Sequence, residues 1–129
     1  MEHQRMRSPL GRAVGLGSAK EGVEHWWRQR LTAIALVPLG LWFVVSLLAH
    51  IGGGYEQAVN WLGQPLPTIL MIVLIVVTFY HAALGVQVVV EDYVHQEWAK
   101  LGVLITVRFA CILLAVAGIF AVLRVALKG

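Results

Sequence analysis

Three long apolar stretches constrain this chain more than any other feature. They cover about residues 31–50, 66–90 and 101–123, and the first opens LTAIALVPLGLWFVVSLLA. A helix needs ~20 apolar residues to cross ~30 Å of hydrocarbon, and each stretch is long enough. Strands of a membrane barrel would show alternating segments of about ten residues, and these runs are too long and too uniform for that. Only His81 and Arg108 bring a basic or acidic side chain into the interior of the three. The expected fold is therefore an all-α integral membrane protein with three transmembrane helices.

Composition agrees. Of the 129 residues, 59% are hydrophobic and 13% charged, against about 25% charged in soluble domains. The formal net charge is +3, unevenly spread. Arg5, Arg7, Arg12, Lys20, Arg28 and Arg30 precede the first stretch, while residues 51–65 contain no Lys or Arg. By the positive-inside rule the N-terminus is expected in the cytoplasm and the C-terminus in the periplasm. The adjoining span gives the basic N-terminus a topological role, so nucleic acid is not an expected partner; the bilayer is. Cys111 is the only cysteine, which excludes an intrachain disulfide and a CxxC redox or metal motif.

Residues 1–17 are Arg- and Gly-rich without apolar periodicity and read as a flexible basic tail; residues 18–129 read as the membrane domain. Ser18 and Glu21 fit a capping box that starts a short helix. That helix carries Trp26 and Trp27, suited to the headgroup layer, towards the first span. Pro38 falls inside the span, where membrane helices tolerate proline. Gly52-Gly53-Gly54 opens the first connection, and Pro65 and Pro67 punctuate the start of the second span.

The stretch FYHAALGVQVVVEDYVHQEW, residues 79–98, carries the chemistry. His81 lies about nine residues, or ~14 Å, from the inner end of its span, close to the bilayer midplane. An ionisable group at that depth is by default a functional-site hypothesis. Its options are a haem or other metal ligand, a proton relay, or a hydrogen bond between helices. Gly85 at i+4 and Asp92 at i+11 share its helical face. Gly85 lets a flat macrocycle or another helix approach closely. Asp92 lies ~16 Å further along, at the boundary with water, where a quinone head group would find polar contacts.

HAALGVQVVVEDYV resembles the second-helix signature of the hydrophobic membrane anchor subunit of succinate dehydrogenase, of the alphaproteobacterial or mitochondrial type. The shared elements are His81, Gly85 four residues on, and Asp92-Tyr93 eleven and twelve residues on. SAKEG at residues 18–22 and WRQRLTA at residues 27–33 resemble the segment leading into that family's first helix. The third helix matches only as an apolar span.

The resemblance implies a subunit of respiratory complex II in an inner membrane, either bacterial or mitochondrial. Its partners would be a flavoprotein, an iron–sulfur protein and a second, cytochrome b-type membrane subunit. The chain would not be an enzyme by itself. It would pass electrons from succinate towards ubiquinone within the citric acid cycle and respiratory chain. By carry-over, His81 is an axial ligand of haem b iron, shared with the second membrane subunit. Sharing suits this chain, because His50 lies near the outer end of the first span and His3, His25 and His95 lie outside the spans. Tyr93 matches a tyrosine that hydrogen-bonds a quinone carbonyl, with Asp92 as its polar neighbour, and Arg30 matches an arginine near the haem propionates. The competing expectations are a haem-free structural anchor, a fumarate reductase anchor, and a small proton-coupled transporter subunit.

Overall fold

The computed structural model describes residues 17–128, with side chains from residue 22 onward. The expected basic tail falls outside these residues except for Gly17, and so do the side chains of the expected capping pair, Ser18 and Glu21. Among the described residues the order is α1 (Gly17–His50), a 3-10 turn (Ile51–Gly53), α2 (Gly54–Leu62), α3 (Pro65–Tyr93) and α4 (Glu97–Lys128), with no strand. Three of these helices, α1, α3 and α4, are long and apolar enough to cross a membrane.

α1 is one unbroken helix where the sequence suggested a short helix followed by a span. Its 34 residues rise about 51 Å, well beyond the ~30 Å of a hydrocarbon core. No glycine or proline interrupts residues 23–37, so the apolar span acts as a nucleus from which the helix continues through Glu24, His25, Arg28 and Arg30. Pro38 is accommodated without ending α1.

The first connection is also more ordered than a glycine-rich loop. Gly54 adopts φ +73° and reverses the chain into α2; a side chain there would be strained. α2 turns Trp61 inward. The Trp61 ring stacks on His50 at 4.9 Å and lies 5.8 Å from Trp42, tying α2 to the end of α1. Thr68 then anchors the start of α3, its hydroxyl lying 2.6 Å from Leu62 O and 2.8 Å from Gln64 O. Pro65 occupies the first turn of α3, where its missing N–H costs nothing.

α3 and α4 form an antiparallel hairpin joined by only Val94, His95 and Gln96. Gly118 of α4 packs against α3, where an added Cβ would sit 3.3 Å from Ile75 Cγ2 and 3.4 Å from its Cδ1. This is the small-residue contact by which membrane helices bring their backbones together. Among the described residues only Pro67, Leu84, Val90 and Val122 are buried. Ile34, Leu41, Phe109 and Leu113 are 64–70% exposed. Such an apolar exterior suits lipid and partner helices rather than water.

Candidate functional site

His81 sits two residues past the midpoint of α3, so it is close to half-way along the spanning helix. It is half-buried and faces α1. Its Nδ1 lies 2.8 Å from Thr32 Oγ1. The same hydroxyl lies 2.7 Å from Arg28 O and 3.0 Å from Gln29 O. One helical turn along, Gly85 faces Gln29 of α1. His81 and Gly85 therefore line one interface, the antiparallel contact between α3 and the N-terminal half of α1.

The sequence offered helix approach as one reason for Gly85. A Cβ at Gly85 would meet Gln29 Nε2 at 3.8 Å, an ordinary van der Waals distance. Packing against α1 therefore does not demand glycine at this position. The glycine instead opens one wall of a recess of about 400 Å³, whose lining includes His25, Trp26, Gln29, Arg30 and Gly85. Two polar atoms in this region, His25 Nε2 and Gln29 Oε1, are buried without a hydrogen-bond partner. Such atoms in a native protein call for a partner. Arg30 holds its guanidinium 5.3 Å from the centroid of the Trp26 ring. Among the described residues no carboxylate pairs with it, so its charge is available to an anion.

The fit to haem can be judged from this donor set. One imidazole faces the α1–α3 interface at mid-helix. A cation, Arg30, lines the recess one to two turns towards the charged end, His25 beside it has an unpartnered ring nitrogen able to donate, and the intervening position carries no side chain. That is the order of groups that a macrocycle with an iron centre and carboxylate substituents requires. The residues fit the group.

Asp92 and Tyr93 occupy the last turn of α3, three residues further than the apolar stretch reached. Both are exposed, Tyr93 at 78%. Neither touches His81, and within this chain they form a polar rim rather than an enclosed pocket.

A larger groove, of about 630 Å³, runs along α3 and α4 with one end against Glu24, His25 and Arg28 of α1. Its walls are mostly apolar, and Cys111 lies among them as a small filler. Arg108, the second ionisable residue inside the apolar stretches, donates to Gln87 Oε1 at 3.2 Å. Gln87 Nε2 in turn donates to Glu91 Oε1 at 3.0 Å. A neutral amide thus bridges a guanidinium inside α4 and a carboxylate at the end of α3. Sequence reasoning missed both Gln87 and Thr32. Each is an uncharged polar residue of ordinary type, and only spacing against residues on another helix distinguishes it.

The chain matches the succinate dehydrogenase/fumarate reductase transmembrane subunit family over residues 4–120. It is 37% identical over 116 residues to the succinate dehydrogenase hydrophobic membrane anchor subunit of Rickettsia bellii, covering 90% of this chain and 93% of that one. The subunit of the same name from Paracoccus denitrificans is 30% identical over 120 residues, covering 93% and 92%. The succinate dehydrogenase membrane anchor subunit of Reclinomonas americana is 29% identical over 96 residues, covering 72% and 80%. No solved structure gives a significant match to the chain. With its three apolar helices the chain is a multi-pass inner-membrane protein, and the relatives place it among the non-catalytic subunits of their complex. The match across nearly the whole chain, together with the three-helix architecture, makes this protein a member of the succinate dehydrogenase/fumarate reductase transmembrane subunit family.

Proposed function

We propose that this chain, as the membrane anchor of succinate dehydrogenase, supplies one axial ligand to a haem b and part of the wall of a ubiquinone site. The anchor role rests on the relatives, all named for it. The haem reading rests on His81, held at mid-helix through Nδ1. Among the described residues no protein group bonds its Nε2, which is thus available to a metal.

Haem b, when bound, supplies a one-electron redox centre near the middle of the membrane. His81 would be one ligand to its iron, and the second membrane subunit would supply another. Arg30 and the unpartnered His25 Nε2 would meet the propionates. Gly85 would leave room for the ring. At the end of α3, Tyr93 would donate its phenolic proton to a quinone carbonyl, with Asp92 keeping that rim polar and hydrated. The iron–sulfur subunit would bring electrons to this end of the bundle, which faces the cytoplasm by the distribution of Lys and Arg. The partners are then a flavoprotein, an iron–sulfur protein and a cytochrome b-type membrane subunit, with ubiquinone as substrate.

The Thr32–His81 bond also suits a haem-free anchor, in which the imidazole serves only to join two helices. A reduced-minus-oxidised spectrum of the purified complex separates the two readings. His81→Ala is expected to abolish the b-type band; an unchanged band sinks the ligand assignment. For the quinone rim, Tyr93→Phe is expected to lower succinate:quinone reductase activity at least tenfold while sparing succinate oxidation by a soluble acceptor. Equal retention of both activities rejects the role of Tyr93.

A further inference from the structure

We infer that Thr32 is the positioning residue for His81: its hydroxyl oxygen accepts the Nδ1 proton, which selects the imidazole tautomer and aims Nε2 away from α1. The inference rests on the haem-ligand reading above and deepens it, because that reading says nothing of what orients the ring.

A threonine hydroxyl carries one proton, and a carbonyl oxygen carries none. Thr32 Oγ1 lies 2.7 Å from Arg28 O and 3.0 Å from Gln29 O, the back-bonded arrangement of a threonine within a helix. The hydroxyl proton must point towards those carbonyls to satisfy such short contacts. The 2.8 Å contact with His81 Nδ1 then has only one consistent assignment. Nδ1 carries the proton and donates it to Oγ1, and Nε2 carries a lone pair. The reverse assignment would turn the hydroxyl proton to Nδ1 and leave two oxygen–oxygen contacts without a proton between them. It would also protonate Nε2 and remove it as a ligand.

Position adds to chemistry. Thr32 lies in α1, just past the charged segment ending at Arg30, and its β-branched side chain has few rotamers in a helix. It is therefore a stiff acceptor. The back-bond to α1 and the bond to α3 together fix both the height and the rotation of the imidazole. Metal-bound histidines commonly donate their second N–H to an oxygen, which raises ligand basicity and fixes ring orientation. Here that oxygen comes from a different helix, so the packing of α1 on α3 is coupled directly to the electronics of the ligand.

The test compares Thr32→Val, which keeps the shape and removes the hydroxyl, with Thr32→Ser, which keeps the hydroxyl, and with His81→Ala, all in the assembled complex. The readouts are the haem midpoint potential by redox titration and the low-spin signal by electron paramagnetic resonance, neither of which depends on turnover. Thr32→Val is expected to raise the midpoint potential, because a less basic imidazole stabilises ferric iron less. It should also shift the largest g value and lower haem retention by ~10-fold. Thr32→Ser is expected to restore all three towards the native values. A Thr32→Val complex with native potential and native g values overturns the inference. So do equal shifts in Thr32→Val and Thr32→Ser, since packing alone would then explain them. If the valine variant does not assemble, Thr32→Ala takes its place in the same comparison. Retention of the haem band in His81→Ala would overturn the ligand reading itself, whereas its loss beside an unaffected Thr32→Val would overturn only the role of Thr32.

Discussion

α3 packs against two long helices and meets them in different ways. Against α4 it is mostly apolar, with Gly118 admitting Ile75 to within contact of where a Cβ would be and Arg108 bonded to Gln87 towards the charged end. Against α1 it is polar and loose. The Thr32–His81 hydrogen bond joins the two helices, while Gly85 opens onto a recess that Gln29 and Arg30 only partly fill. Both interfaces contain a glycine on the facing surface, yet only at Gly118 would an added Cβ crowd a neighbour in this chain. The α3–α4 contact holds the hairpin. The α1–α3 contact keeps polar atoms and space that the chain does not use by itself.

The largest expected effect breaks that symmetry of glycines. Gly118→Leu forces a bulky side chain into the Ile75 contact, and overpacking of this kind costs about 1–3 kcal/mol. The assembled complex, quantified on a native gel, is expected to fall several-fold, with the haem content of what remains unchanged. Gly85→Leu is expected to do the reverse: assembly near the native level, because Gln29 can swing aside, and haem per complex sharply reduced. Equal loss of assembly in both variants, with haem retained in each, would show that the two interfaces do not differ as described.

A smaller effect belongs to the polar bridge between α3 and α4. A double-mutant cycle of Gln87→Leu and Arg108→Leu is expected to give a coupling of about 0.6 kcal/mol, the usual size for a hydrogen bond between membrane helices. It can be read from the heat-induced dissociation of the complex in detergent. A coupling several times larger would mean that the α3–α4 interface depends on its polar rim rather than on the Gly118 contact.

Much of this architecture was legible without coordinates. Helix count followed from apolar length, which is a property of local composition. The position of His81 near the middle of its helix followed from counting along the apolar stretch, and the placement of Asp92 and Tyr93 at a helix end followed from the same count. The continuity of α1 through residues 23–30 was less legible. A charged segment beside a span reads as a separate element unless the absence of a helix breaker is given more weight than the change in polarity. The helical form of residues 54–62 was masked by the three glycines at its start, Gly52 to Gly54, which make the turn into it rather than a loop.

Which faces meet was beyond the reach of the sequence. α3 is apolar nearly all round, so no hydrophobic stripe declares the side turned to α1 or to α4. In a bilayer, lipid is as good a neighbour for leucine as another helix, and hydrophobicity therefore does not choose the rotation of a spanning helix. That choice is left to a few specific contacts: a glycine against an isoleucine, a glutamine between an arginine and a glutamate, a threonine hydroxyl against an imidazole nitrogen. The sequence by itself determined that the chain crosses a membrane three times and carries a histidine near the middle. Only the tertiary structure decided that Thr32 is the partner of that histidine and that Gly118, not Gly85, closes the hairpin. Spans are written in residues adjacent along the chain, whereas these partners are separated by 49 and 43 residues and meet only once the helices are rotated against one another.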